Sequence, residues 1–155
     1  MGPFESLPII VGTGFALQIA LIDLRELRIP NGLLSIGLLT TMTSMFAINF
    51  NFPTGTRLPG AIAGALLATL TFFLIHLLNP IGLGMGDVKF AAHIGLLLAW
   101  IAFPVGLLGL AISFIAAAIY AALQFAARGR NFNRLVPFAP FMLFGLLFVE
   151  AGLLI

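Results

Sequence analysis

The sequence predicts an all-α fold, a polytopic membrane helix bundle of about six transmembrane helices, and three observations carry that expectation. Hydrophobic residues fill 61% of the 155 positions, charged residues only 8%, and the mean hydropathy is +1.19. So apolar a chain cannot bury its surface inside one water-soluble core, and its 7 Lys+Arg and 5 Asp+Glu would leave a soluble surface almost bare. The charges also divide the chain into uncharged stretches of membrane-spanning length, and the basic residues fall mainly in alternate connections. The same composition excludes a soluble enzyme, a disordered segment and a nucleic-acid binder. A pI near 10.0 rests here on a net charge of only +2, carried by scattered arginines, which is too weak for a phosphate backbone. The expected surroundings are a lipid bilayer, with no nucleic acid as partner.

The uncharged stretches run from Ser6 to Ile22, Ile29 to Thr56, Leu58 to Gly86, Phe90 to Ala127 and Leu135 to Val149. The fourth would make roughly 57 Å of helix at 1.5 Å per residue, nearly twice a hydrocarbon core of about 30 Å, so it must hold two spans. The best break is Trp100-Ile101-Ala102-Phe103-Pro104, an interfacial tryptophan followed by a proline suited to a first helical turn. Six helices are therefore expected at about 6–22, 32–50, 60–78, 88–103, 105–127 and 136–154. Short connections support the count: turn-rich Asn51-Phe52-Pro53-Thr54-Gly55-Thr56, glycine-rich Asn79 to Gly86, and basic Arg128-Gly129-Arg130-Asn131.

Arg25, Arg28, Lys89, Arg128, Arg130 and Arg134 lie in the connections after the first, third and fifth helices, against Arg57 alone on the other side. The positive-inside rule then puts the N-terminus outside and Asp23 and Asp87 at the cytoplasmic face. The N-terminus lacks a basic n-region and a small-residue cleavage site, so the first helix is expected to be retained, and the match of Met1-Gly2-Pro3-Phe4-Glu5-Ser6 to a myristoylation pattern is discounted. Gly60-Ala61-Ile62-Ala63-Gly64 reads as close packing within the bundle rather than dimerisation, and no other signal sets an oligomeric state. Residues 1–155 are expected to form one transmembrane domain.

With so few acids, Asp23 and Asp87 stand out. Asp23 closes the first helix and Asp87 opens the fourth. Alone, Asp87 reads as a helix N-cap, and Asp23 as an interfacial residue paired with Arg25 or Arg28. Together they lie at one membrane face, separated by one out-and-back hairpin, so a bundle can bring the carboxyls together. Two adjacent carboxylates cannot both ionise cheaply, and a shared proton suits them to activate water and protonate a leaving group. Gly84 and Gly86, without Cβ atoms, would let a substrate backbone approach the loop that aims Asp87.

Asp23, with Arg25 and then Ile29-Pro30-Asn31, resembles the first aspartate motif of the type IV prepilin peptidases. Gly84-Met85-Gly86-Asp87-Val88-Lys89 resembles their second, the GxGD motif shared with presenilin-like intramembrane aspartyl proteases. Val136-Pro137-Phe138-Ala139-Pro140-Phe141 is similar to a Pro-Phe-x-Pro segment near the family's C-terminal end. The resemblance implies a membrane aspartic endopeptidase that removes the leader of type IV prepilins or pilin-like proteins at the cytoplasmic face of a prokaryotic inner membrane. It makes Asp23 and Asp87 the catalytic pair, with Gly84, Gly86, Lys89, Arg25, Pro30 and Asn31 shaping the site. Larger members also carry a cysteine-bearing N-terminal segment and N-methylate the pilin. This sequence has no cysteine, and its first helix starts almost at Met1, so it resembles the short, peptidase-only form of Flp/Tad pilus systems.

Other residues carry weaker signals. Lys89 could tune an aspartate or anchor the fourth helix at the interface. His76 and His93 read as packed or interfacial histidines, Glu150 as a solvated residue near the outer end of the sixth helix. The histidines lack ligand spacing, and without cysteine no metal or cofactor is expected; no Gly-x-Ser-x-Gly elbow supports a serine hydrolase. Two rival functions remain: an ion-coupled transporter using Asp23 and Asp87 as a relay, and a non-catalytic assembly scaffold.

Overall fold

The computed structural model describes residues 4–52, 55–80, 82–128 and 136–154. These form six α-helices and no strand: α1 (Leu7–Glu26), α2 (Asn31–Asn51), α3 (Arg57–Leu78), α4 (Met85–Ala102), α5 (Leu108–Arg128) and α6 (Ala139–Leu154). A 3-10 turn over Val105–Leu107 leads into α5. Five helices, α1 to α5, are long and apolar enough to cross a membrane, and Ala139–Gly152 is a shorter apolar segment. Pro53, Thr54 and Ile81, the Met1 to Pro3 start, and Gly129 to Arg134 of the basic connection lie outside the described residues.

Helix ends extend past the charge-free stretches. The first helix continues four residues beyond Ile22, taking in Asp23, Arg25 and Glu26, because helix propensity tolerates charged side chains in the last turn. It stops at Leu27, whose backbone is left-handed (φ 52°) and whose N–H returns to the Asp23 carbonyl at 2.9 Å. A left-handed non-glycine residue costs about 1–2 kcal/mol. Pro30 then caps α2 in an extended conformation. The fourth helix begins three residues before the expected Val88, with Gly84 at its N-cap. The sixth starts at Ala139 rather than 136, with Val136, Pro137 and Phe138 in no regular element before it.

α4 is the axis of the bundle. Every residue from His93 to Trp100 is buried, and an all-round apolar helix is stable only when enclosed. It packs most extensively on α3, and also on α1, α2, α6 and the 3-10 turn. The α3–α4 seam is made of small residues: a Cβ on Gly64 would strike Ala99 and lie 2.8 Å from the Gly95 carbonyl oxygen. The Gly60–Gly64 stripe thus serves packing within the bundle, as expected. Outward faces of the other helices carry large apolar side chains, among them Ile36, Leu39, Leu66, Leu70 and Leu123.

At the end of the bundle away from Asp87, Arg57 bridges to Glu5 at 2.7 Å and the Trp100 indole N–H donates to the Glu5 carbonyl at 3.0 Å. Trp100 was expected at the interface. It is instead fully buried, its one polar atom satisfied by backbone, which lets the ring pack in the core.

Candidate active site

Asp23 and Asp87 arrive at one end of the bundle from opposite directions, Asp23 in the last turn of α1 and Asp87 in the first turn of α4. Cα–Cβ bonds tilt toward a helix's N-terminus, so at this shared end Asp23 leans back into the bundle while Asp87 leans outward.

Each carboxyl is held by a helix N-terminus. Asp87 is the third residue of α4, not its N-cap: Gly84 holds that place, and Asp87 Oδ2 accepts the Gly84 N–H at 3.0 Å, a donor the helix leaves unpaired. Asp23, only 5% exposed, reaches the other helix: its Oδ2 accepts the Ala139 N–H, the first of α6, at 3.1 Å. Pairing of Asp23 with Arg28 does not occur, because Arg28 bonds Glu26 at 2.7 Å on the exposed side. Arg25 is exposed in the same turn as Asp23.

The Pro137-Phe138-Ala139-Pro140 segment gains a physical role from this bond. Pro140 falls in the first turn of α6, where a missing N–H leaves nothing unpaired. Phe138 is wedged among α3 and α5, its ring centroid 5.7 Å from that of Phe72 and 5.2 Å from that of Phe114, which themselves lie 4.9 Å apart. This aromatic cluster fixes the amide that holds Asp23. Spacing alone gave no sign of it, since the partners lie 116 residues apart.

The remaining expected site residues form the surroundings of Asp87. Lys89 Nζ donates to Asn31 Oδ1 at 3.1 Å, joining α4 to the first residue of α2, next to Pro30. A Cβ on Gly86 would sit 3.1 Å from the Cβ of Ile29, so this glycine lets the start of α4 pack against the α1–α2 connection. At Gly84 an added Cβ would meet the Asp87 carboxyl itself at 3.4 Å. His76 Nδ1 lies 2.6 Å from the Leu83 carbonyl and fastens the end of α3 to the loop before Gly84.

Two other titratable groups lie deeper. His93 is fully buried, its Nε2 3.1 Å from the Gly12 carbonyl, so that it links α4 to α1. Glu150 is half-buried rather than solvated, and its Oε1 accepts the Thr13 hydroxyl at 2.6 Å. In an apolar surrounding a carboxyl finds a donor, and α1 supplies one.

The model of the type IV leader peptidase family matches residues 10–122. The chain belongs to that family. The match takes in both aspartates and stops before α6, so the Ala139 amide lies beyond it. Comparisons with curated proteins and with solved structures gave no match. Membership in the type IV leader peptidase family and the apolar helices make this a multi-pass membrane protein with a leader-peptidase-like function.

Proposed function

We propose that the chain, residues 1–155 as one transmembrane peptidase domain, is an aspartic endopeptidase of the GxGD type that cuts the leader from type IV prepilins or pilin-like proteins. The observation that carries this reading is the pair of carboxyls at one end of the bundle, Asp23 on the α6 N-terminus and Asp87 on the α4 N-terminus, in a chain of the leader peptidase family. One carboxylate takes a proton from water as the water oxygen attacks the scissile carbonyl carbon. The other, protonated, gives its proton to the amide nitrogen as the C–N bond breaks. The pair then holds as many protons as at the start with the roles of the two carboxyls exchanged, a proton crosses between them or through water to reset it, and no cofactor enters.

The basic residues support an orientation with the N-terminus outside and the dyad at the cytoplasmic face, and the resemblance to prepilin peptidases implies the inner membrane of a prokaryote. Gly86 keeps the start of α4 close-packed on Ile29, Gly84 lies beside the Asp87 carboxyl, and Lys89 bonds Asn31 next to Pro30 at the start of α2. Arg25 stands exposed beside Asp23, where it can meet substrate. The absence of cysteine in the sequence favours peptidase activity without N-methylation.

Co-expression with a candidate prepilin tests the reading. The prepilin is expected to shorten by its leader with the wild type, and to keep its full length with Asp23→Asn or Asp87→Asn. Processing by both variants would favour the scaffold reading and remove the dyad.

A further inference from the structure

Glu150 is the intramembrane carboxyl that the proposed reaction leaves unused. Its bond to Thr13 joins residues 137 positions apart, and it joins the same two helices as the bond between Asp23 and Ala139. α1 and α6 run in opposite senses, since an early residue of α1 meets a late residue of α6 and a late residue of α1 meets the first of α6. On α1 the two bonding residues, Thr13 and Asp23, are roughly 15 Å apart along the axis at 1.5 Å per residue. On α6, Ala139 and Glu150 are roughly 16 Å apart by the same rise.

Matching spans let both bonds form together at one axial register. A slide of one residue, about 1.5 Å, would stretch and misalign the 2.6 Å hydroxyl–carboxyl contact, and a slide of a full turn, about 5.4 Å, would break it. Between the two links the buried side chains are apolar, Ala16, Ile19 and Ala20 on α1 and Met142, Leu143 and Leu146 on α6. Such contacts are non-directional, whereas a hydrogen bond in an apolar medium is specific in distance and angle.

We infer that Glu150, through Thr13, is a positioning residue that sets the axial register of α1 against α6 and so holds Asp23 at the α6 N-terminus. The inference rests on the reading of Asp23 as a catalytic carboxylate.

Kinetics with the detergent-purified full chain and a prepilin peptide form the first arm. Thr13→Val and Glu150→Leu are each expected to lower kcat by about tenfold to a hundredfold, the scale of a misplacement near 1 Å, with KM changed less than about twofold. Thr13→Ser and Glu150→Gln keep a hydroxyl donor and an acceptor oxygen and are expected to keep at least about half of the activity. The double variant Thr13→Val/Glu150→Leu should lose no more than either single change. Additive losses, full activity in Thr13→Val, or a Gln variant as poor as the Leu variant would overturn the inference.

The second arm does not depend on peptidase activity. The sequence contains no cysteine, so Asp23→Cys/Ala139→Cys introduces the only thiol pair and replaces one of the two links. Disulfide formation under mild oxidation should be at least about fivefold slower once Glu150→Leu is added, because the bond tolerates only a narrow Cα separation. Equal rates would overturn the register role whether or not the wild type cleaves. Failure of the wild type to cleave any prepilin, with the rate difference intact, would count against the peptidase reading instead.

Discussion

Gly86→Ala places one methyl group where the start of α4 meets the α1–α2 connection. The new Cβ would lie 3.1 Å from the Cβ of Ile29 and 3.6 Å from its Cγ1 and Cδ1. Carbon atoms rest at about 3.5–4.0 Å, so the two segments must part by roughly 0.4–0.9 Å. Overpacking of this kind costs about 1–3 kcal/mol, and alanine in a helix returns up to about 1 kcal/mol relative to glycine. The net penalty of at most about 3 kcal/mol is small beside a typical stability of about 5–15 kcal/mol, so the protein still folds. Activity is more sensitive, because Ile29 precedes the Pro30-Asn31 start of α2 and Asn31 holds Lys89. A displacement approaching 1 Å at a reacting group costs on the order of a hundredfold. Gly86→Ala should therefore lower leader cleavage about tenfold to a hundredfold per folded molecule, and Gly86→Val further. At Gly82 the nearest atoms to an added Cβ belong to the side-chain amide of exposed Asn79, which can swing aside at the cost of its bond to the Gly82 N–H, so Gly82→Ala should lose less than about threefold. Ile29→Ala in the Gly86→Ala background removes the two outer contacts and should recover part of the loss. The assay is hydrolysis of a prepilin peptide by purified protein, normalised to the folded fraction by size exclusion. Equal losses at positions 82 and 86, or a fully active Gly86→Ala, would refute the packing argument.

Phe138→Ala removes the ring that contacts both Phe72 and Phe114, and should destabilise the detergent-solubilised protein by about 2–4 kcal/mol, read as a lower thermal midpoint, with cleavage falling as the Ala139 amide loosens. Gly64→Val puts two extra carbons beyond a Cβ that already strikes Ala99 and crowds the Gly95 carbonyl; since backbone cannot swing aside, the yield of folded protein should collapse, whereas Gly14→Val, where a Cβ meets nothing, should be tolerated. Topology is checked by membrane-impermeant thiol labelling: Arg25→Cys should react only from the cytoplasmic side and Thr56→Cys only from outside, and labelling of both from one side would break the proposed orientation.

Much of the bundle could be read from charge sparsity. Each of the six helices was expected near its place, because a bilayer excludes charge and the chain's few charges mark the ends. Helix ends were less legible: Asp23, Arg25 and Glu26 looked like a connection but continue α1, since nothing in that run breaks a helix before Leu27. Asp87 looked like an N-cap because acidic residues favour that position, yet Gly84 takes the cap and Asp87 answers from the third helical place. The expectation of an aspartate pair came from their motifs and shared face, and the structure sets both at one end of the bundle. Their supports were not legible, because they are backbone groups and tertiary contacts: the Ala139 amide on Asp23, the Ile29 side chain against Gly86, the Thr13 hydroxyl on Glu150. Backbone donors leave no residue-type signal, and Glu150 looked solvated because a lone acid near a helix end usually is.

The account stands most directly on the paired carboxyls, and single-turnover cleavage of a prepilin peptide by detergent-purified protein tests them. General acid–base groups each contribute about 10²–10⁴-fold, and a dyad acts as a unit. Asp23→Asn and Asp87→Asn should each cut the cleavage rate by at least about a thousandfold, the double variant no further, with all three proteins eluting as the wild type does. A rate within about tenfold of wild type in either single variant would contradict the dyad.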